Sequence, residues 1–402
     1  MDGLAKQVLS QLSYRPEVGT RLTGSRSTAN PPAIPVPERR VPLLLILLLL
    51  AWPATGAAQS ADGNVVLIML DGVRWQEVFT GADSLLMHSE HGGIDDTVTA
   101  RRQFWRPTVG ERRRILMPFL WDSVAKNGQV LGDATHGSIA RVTNGYNFSY
   151  PGYNEVLTGR GDPRINTNAY PPNPNVTVFE WLGRQPGLEG KVAAFGTWDA
   201  FPRIFNRERA GIHLWAGWEE PFPAARDSAA TLLNELANTT TRIWDDLSYD
   251  AFMQIIVRDY VAREHPRLLF VGFGETDVWA HDGKYDKLLR SAQQDDAFIA
   301  ELWHMMQEIP QYRGKTTFII TTDHGRGDGP EAWRDHGQDV PGADRIWIAV
   351  MGPGIAPLGA RSSVTPVTQG QVAATIAALL GADFPSADPG VAPSLLHMLQ
   401  EP

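Results

Sequence analysis

The sequence predicts an α/β fold in which a largely parallel central sheet carries helices on both faces. Four short runs are almost continuously apolar: NVVLIML (64–70), RLLFVGFG (267–274), TTFIITT (316–322) and RIWIAVMG (345–352). Strands buried on both faces read as unbroken apolar runs, whereas half-exposed strands alternate. Segments with helical spacing accompany them, SAQQDDAFIAELWHMMQEI (291–309) and QVAATIAALLG (371–381). Three of the runs also stop at acids, Asp71, the triplet Glu275, Thr276 and Asp277, and Asp323. In open α/β sheets the carboxyl edge of the strands is where ligand sites form.

Ahead of the first strand, VPLLLILLLLAW (41–52) follows Arg39 and Arg40 and precedes the small-residue stretch PATGAAQS. It is short for a membrane span and has the layout of a secretory h-region, with cleavage near Ala58. The expected product is exported, to the periplasm or the extracellular space, with no stable membrane span after cleavage; an uncleaved segment would instead anchor it. Residues 1–58 are therefore set apart as extension plus signal peptide. Residues 62–400 read as a single catalytic domain with excursions near 82–120 and 196–225, both candidates to cover the site.

The 402-residue chain carries a net charge of −9, and residues 1–58 hold six Lys or Arg against three Asp or Glu, so cleavage takes the charge to −12. Such a surface repels polyanions, and no long nucleic acid is expected as a partner. There is no cysteine. Thiolate chemistry is excluded, and a transition-metal site must use histidine and carboxylate.

Those groups are present at the strand ends. In ETDVWAHDG (275–283) Asp277 and His281 are four apart, so one helical turn places them on a common face. Asp323 and His324 are adjacent and must sit on a turn to converge, which Gly325 permits. His336 follows in RDHGQ. With Asp71 this makes three acids and three histidines, too many for one catalytic ion and suited to two. Taken singly, each also fits an ordinary role: Asp71 and Asp323 as helix caps, His281 and His336 as surface histidines. Ser149, in NGYNFSYPGYNEVLTGRGD (144–162), reads either as a helix cap or, beside a metal, as an activated nucleophile.

The ordered set LDGVR (70–74), NFSYPGYNEVLTG (147–159), ETDVWAH (275–281), TTDHG (321–325) and DHG (335–337) resembles the alkaline phosphatase superfamily, specifically its type I phosphodiesterase and nucleotide pyrophosphatase branch. The resemblance implies an alkaline phosphatase-like fold and two divalent ions, zinc first and manganese as the alternative. Asp277, His281 and His336 would hold one ion. Asp71, Asp323 and His324 would hold the other, together with Ser149 in the nucleophile's position. An asparagine holds a phosphoryl oxygen in that family, and Asn168 matches it, with Asn166 close behind. The implied activity is hydrolysis of a small phosphate ester through a phosphoserine, with a diester or nucleotide-like substrate ahead of a monoester. A sulfatase is the next alternative. It is weakened because Tyr153 stands where the sulfatase motif C/S-x-P-x-R has arginine. A non-catalytic metal-stabilised binding protein is the remaining one.

Overall fold

A computed structural model describes residues 62–224 and 226–401. The extension, apolar run and cleavage site expected at 1–58 lie outside the described residues. The expected strand runs organise the sheet. In chain order the strands are β1 (Asn64–Leu70), β2 (Gly128–Leu131), β3 (Ala140–Arg141), β4 (Val192–Gly196), β5 (His213–Ala216), β6 (Leu268–Phe273), β7 (Thr316–Thr321), β8 (Arg345–Ile346), β9 (Ile348–Met351), β10 (Gly359–Ala360) and β11 (Val367–Thr368).

Eight of them form the main sheet in the order β10-β2-β9-β7-β1-β6-β4-β5, and β11-β3-β8 form a small second sheet. β1 lies at the centre and pairs in parallel with β6 on one side and β7 on the other. β4 and β5 extend the parallel arrangement, whereas β9 runs antiparallel between β7 and β2. This is the α/β architecture the apolar runs predict.

Alternation along each strand distributes the core. Val66, Ile68 and Leu70 of β1 join one hydrophobic cluster, and Val65, Leu67 and Met69 join the other. β6 and β7 divide in the same way, so the apolar run is continuous in sequence because both faces are covered. Helices Asp250–Glu264 and Tyr285–Glu308 cover the first face; Ser149–Thr158 and Gln371–Leu379 cover the second.

The run RIWIAVMG is two strands rather than one. Arg345 and Ile346 pair in the small sheet, Trp347 interrupts, and Ile348–Met351 enter the main sheet. The interruption is fixed by the buried Trp347 indole, which donates to the Val73 carbonyl at 3.0 Å. Residues 82–120 pack Ile94, Phe104 and Leu116 into the first core cluster. Part of 196–225 belongs to the sheet itself, as edge strand β5. Among the described residues no helix is long and apolar enough to cross a membrane.

Candidate metal centre and active site

The acids arrive at the carboxyl edge from three neighbouring strands: Asp71 immediately after β1, Asp323 just beyond β7, and Asp277 in the helix Glu275–His281 that follows β6. Asp71, Asp323 and His324 form one triad and Asp277, His281 and His336 a second, each with ligand atoms lying within 4.8 Å of one another. The triads adjoin. His324 Nε2 is 3.8 Å from Asp277 Oδ1, and the His324 and His336 rings stand 3.9 Å apart.

The first triad is buried and tied on every side. Tyr153 donates its hydroxyl to Asp71 Oδ2 at 2.9 Å, and the Gly72 amide donates to Asp323 Oδ1 at 3.2 Å. His324 Nδ1 faces the Gly325 carbonyl at 3.0 Å, so Nδ1 is the donor there and Nε2 is the nitrogen turned to the site. The turn is held from below by Gln369, which donates to the Thr322 and Asp323 carbonyls at 2.9 and 2.8 Å. Gly325 serves close packing here rather than a left-handed turn, since a Cβ would meet the Arg345 carbonyl oxygen at 2.1 Å.

Electrostatics show what this pocket lacks. Burial, then the adjacent Asp71 charge, pushes the Asp323 carboxyl up to about 8. Burial opposes a charge on His324, yet Asp323 and Asp71 raise it to about 9. Asp71 Oδ1 and Asp323 Oδ2 are buried with no hydrogen-bond partner. Excess negative charge and orphaned oxygens converge where a cation would satisfy both.

The second triad is more open. His281 Nε2 lies 3.3 Å from Asp277 Oδ2 and 2.9 Å from His336 Nε2, the approach of ligands converging on a point. Burial, then the neighbouring His324, Arg326 and His281, drives the His336 pKa far below its ordinary value, which keeps it in the neutral form that ligates. Three imidazoles with three carboxylates and no sulfur fit two borderline divalent ions.

Ser149 opens the helix Ser149–Thr158, entered through Asn147 in the left-handed conformation at φ 53°. It is the first helical residue and caps nothing; its Oγ lies 3.3 Å from His324 Nε2. Gly152 lets this helix sit directly on the Asp323–His324 turn, because a Cβ there would lie 2.3 Å from the Asp323 carbonyl oxygen. Asn168 Oδ1 accepts from the Tyr150 amide at 2.9 Å, which secures the helix start and leaves the Asn168 amino group as a donor. Ser149 and Asn168 line a cavity of about 390 Å³ with members of both triads, Trp198 and Asp246. Asn166 is exposed and not part of that lining. No residue of 82–120 lines it either. A larger cavity of about 480 Å³ near Thr316 and Met351 has no titratable side chain in its lining.

No family model matches the chain. It is 28% identical over 234 residues to GPI ethanolamine phosphate transferase 1 of Aspergillus oryzae, a match that covers 48% of this chain and 22% of that protein. The enzyme of the same name from Emericella nidulans is 27% identical over 236 residues, with 48% and 24% covered. The matched region thus spans less than a quarter of the length of these curated relatives.

Among solved structures, a mutant of alkaline phosphatase PafA superposes with a TM-score of 0.52 at 10% identity, covering 83% of this chain and 98% of that one. The fold is alkaline phosphatase-like. Lipoteichoic acid synthase LtaP from Listeria monocytogenes aligns with a TM-score of 0.51 at 12% identity, covering 82% and 74%. The phosphonate monoester hydrolase of Agrobacterium radiobacter aligns with a TM-score of 0.51 at 13% identity, covering 85% and 78%. On this alkaline phosphatase-like fold the paired triads could hold two metal ions.

Three residues that support the site escaped the motif reading. Tyr153 enters the motifs only as a residue that is not arginine, yet its hydroxyl donates to Asp71. Arg326, fully buried, donates to the Asp277 carboxylate and to the carbonyls of Gly72 and Arg334. Gln369 fastens the Asp323 turn from far along the chain. The available signal for Arg326 was a charged residue held between glycines at a strand end, HGRGDG.

Proposed function

We propose that this chain is a phosphoric ester hydrolase of the alkaline phosphatase superfamily, with Ser149 as nucleophile and a phosphodiester or nucleotide-like phosphoanhydride as substrate. The observation that carries the reading is the position of Ser149 in one cavity with Asp71 of the first triad and all three members of the second, in a lining without Lys or Arg. Two divalent ions, zinc or manganese, held by Asp71, Asp323 and His324 and by Asp277, His281 and His336, would supply Lewis-acid stabilisation of the serine oxygen and the leaving oxygen.

Ser149 Oγ forms a bond to phosphorus as the ester bond to the leaving alcohol breaks, and the serine proton ends on that alcohol. Water then attacks the phosphoserine and restores the hydroxyl. The Asn168 amino group donates to a non-bridging oxygen as charge develops there. A monoester brings a second charge to the transferred group and calls for a basic partner in the cavity. Arg203 lies behind Asn168, its guanidinium 3.4 Å from the Asn168 carbonyl and its Nε unpaired, but it is not in the cavity lining; the other arginines of 112–114 and 191–211 are engaged elsewhere. Arg207 pairs with Glu219, Arg209 with Glu180 and Arg114 with Asp122, while Arg112 and Arg113 lie over Trp105 and Trp121. Trp198 instead offers apolar surface to the second substituent of a diester.

A second reading keeps the same covalent step and changes the acceptor. The fungal relatives are named as ethanolamine phosphate transferases, and a phosphoserine can pass its group to an alcohol as well as to water. Export, motivated by residues 41–52, is proposed with either reading.

The test compares kcat/KM for bis(4-nitrophenyl) phosphate, 4-nitrophenyl phosphate and 4-nitrophenyl sulfate on one metal-loaded preparation, with and without an alcohol acceptor. The diester should lead. A monoester advantage above about tenfold, roughly 1.4 kcal/mol of transition-state stabilisation, defeats the diesterase preference. Ser149→Ala should retain its metal and lose turnover by a factor on the order of 10⁴ or more. Near-normal hydrolysis by that variant rules Ser149 out as nucleophile.

A further inference from the structure

A second group of acids, which the reaction above does not use, meets in the interior beside the start of the helix Glu275–His281. Asp250, Glu275 and Asp295 line a cavity of about 50 Å³, with Ala251, Gln254, Ser291 and Gln294 completing its wall. Asp295, on the helix Tyr285–Glu308, is completely buried, and neither of its carboxylate oxygens has a hydrogen-bond partner. Asp250 is 3% exposed; its Oδ1 accepts from the Gly274 amide at 3.1 Å, and its Oδ2 is unpaired. Glu275 accepts from the Asp250 amide and from the Ser291 hydroxyl, each at 3.0 Å. No Lys, Arg or His lines the cavity.

Buried carboxylates without a countercharge cost several kcal/mol each, and the protein must discharge them or neutralise them. Burial, then mutual repulsion, pushes both Asp250 and Asp295 well above the carboxylate range. As a carboxylate, Asp295 receives no hydrogen bond from any protein donor, so its charge is unmatched by the protein itself. The cavity, in contrast, exceeds the roughly 10–15 Å³ that one water requires.

Its donors are all oxygen, which suits a hard cation. Among the described residues, only the two catalytic triads bring three such ligand atoms within 4.8 Å of one another. The three carboxylates here are therefore too widely spaced to grip one bare ion together. Calcium favours many direct oxygen ligands, whereas magnesium keeps its waters and needs one or two carboxylates.

We propose that the cavity between Asp250, Glu275 and Asp295 holds a hydrated magnesium ion, separate from the two triads and independent of the reaction assigned to Ser149. It neutralises the acids at the root of the helix that carries Asp277 and His281.

The test uses full-length protein stripped with chelator, reloaded with zinc, and titrated with magnesium chloride by calorimetry and thermal unfolding. One further equivalent should bind and Tm should rise with magnesium. Asp295→Asn should weaken that step by at least about tenfold, because one charge leaves the site. In magnesium-free buffer the same variant should melt above the parent protein, because a buried unpaired acid is gone. Asp250→Asn gives the same reading should the first variant fail to fold. The proposal is overturned if no magnesium step appears or if both asparagine variants keep it. It also fails if potassium chloride at matched ionic strength stabilises as well, or if calcium binds more tightly than magnesium.

Discussion

The two triads use similar side chains and are built in opposite ways. Asp323 and His324 have no exposed surface and Asp71 is 5% exposed, whereas the His281 side chain is 42% exposed. The buried triad grows from the ends of adjacent strands, and Tyr153, Gly72, Gly325 and Gln369 tie it down before any ion arrives. The open triad is spread over a helix and a loop. His336 Nδ1 has no partner, and the two imidazoles face each other across 2.9 Å. The difference teaches that strand ends and their hydrogen bonds fix the whole of one triad, while at the other Asp277 is fastened by Arg326 and the two imidazoles are left to whatever they bind. The buried triad meets Ser149, whose Oγ is 3.3 Å from His324 Nε2; the open one meets solvent at His281.

Several substitutions would break this contrast if it is false. The largest effect is expected from Asp323→Ala, which should remove the ion from the buried triad and lower kcat/KM by a factor on the order of 10⁴ or more. Elemental analysis should then fall from two equivalents toward one. His281→Ala should spare the buried ion and cost on the order of 10²–10³ in kcat, since leaving-group stabilisation weakens but attack by Ser149 does not. Equal losses of both ions in either variant would show that the triads are a single cooperative unit.

Chelation sharpens the same contrast without mutation. Metal release should proceed in two phases, with the fast one assigned to the open triad because His281→Ala abolishes it. The smallest effect should come from Tyr153→Phe, which removes one hydrogen bond to Asp71 and should reduce metal affinity about 10–100-fold while leaving the fold intact. An unchanged affinity would show that Tyr153 serves packing alone.

The strand ends were legible because burial and chemistry coincide there. β1, β6 and β7 write themselves as apolar runs, and each run stops near an acid. The six ligand positions could be named from that coincidence and from the pairing of acid with histidine. β2, β4 and β5 were not legible: they have four or five residues each, and Gly128, Ala193 and Ala194 blur their apolar signal. The antiparallel direction of β9 was hidden too, since an apolar run carries no sign of its direction. Tyr153, Arg326 and Gln369 act across 82, 49 and 46 residues of chain. No local spacing encodes such contacts.

The order β7-β1-β6 has one more consequence. Neighbouring strands stand about 4.8 Å apart, a distance fixed by their backbone hydrogen bonds. Asp323 and Asp71 are mounted at successive marks of that ruler and Asp277 in the helix that starts from the third, so the sheet helps to set the gauge between the two triads. Residues far beneath the site, such as Ile68 of β1 and Ile320 of β7, which sit side by side in the ladder, thereby share in calibrating it. Selection for a different reacting group would act first on the cavity walls around Trp198 and Asp246, because the gauge itself cannot be retuned one residue at a time.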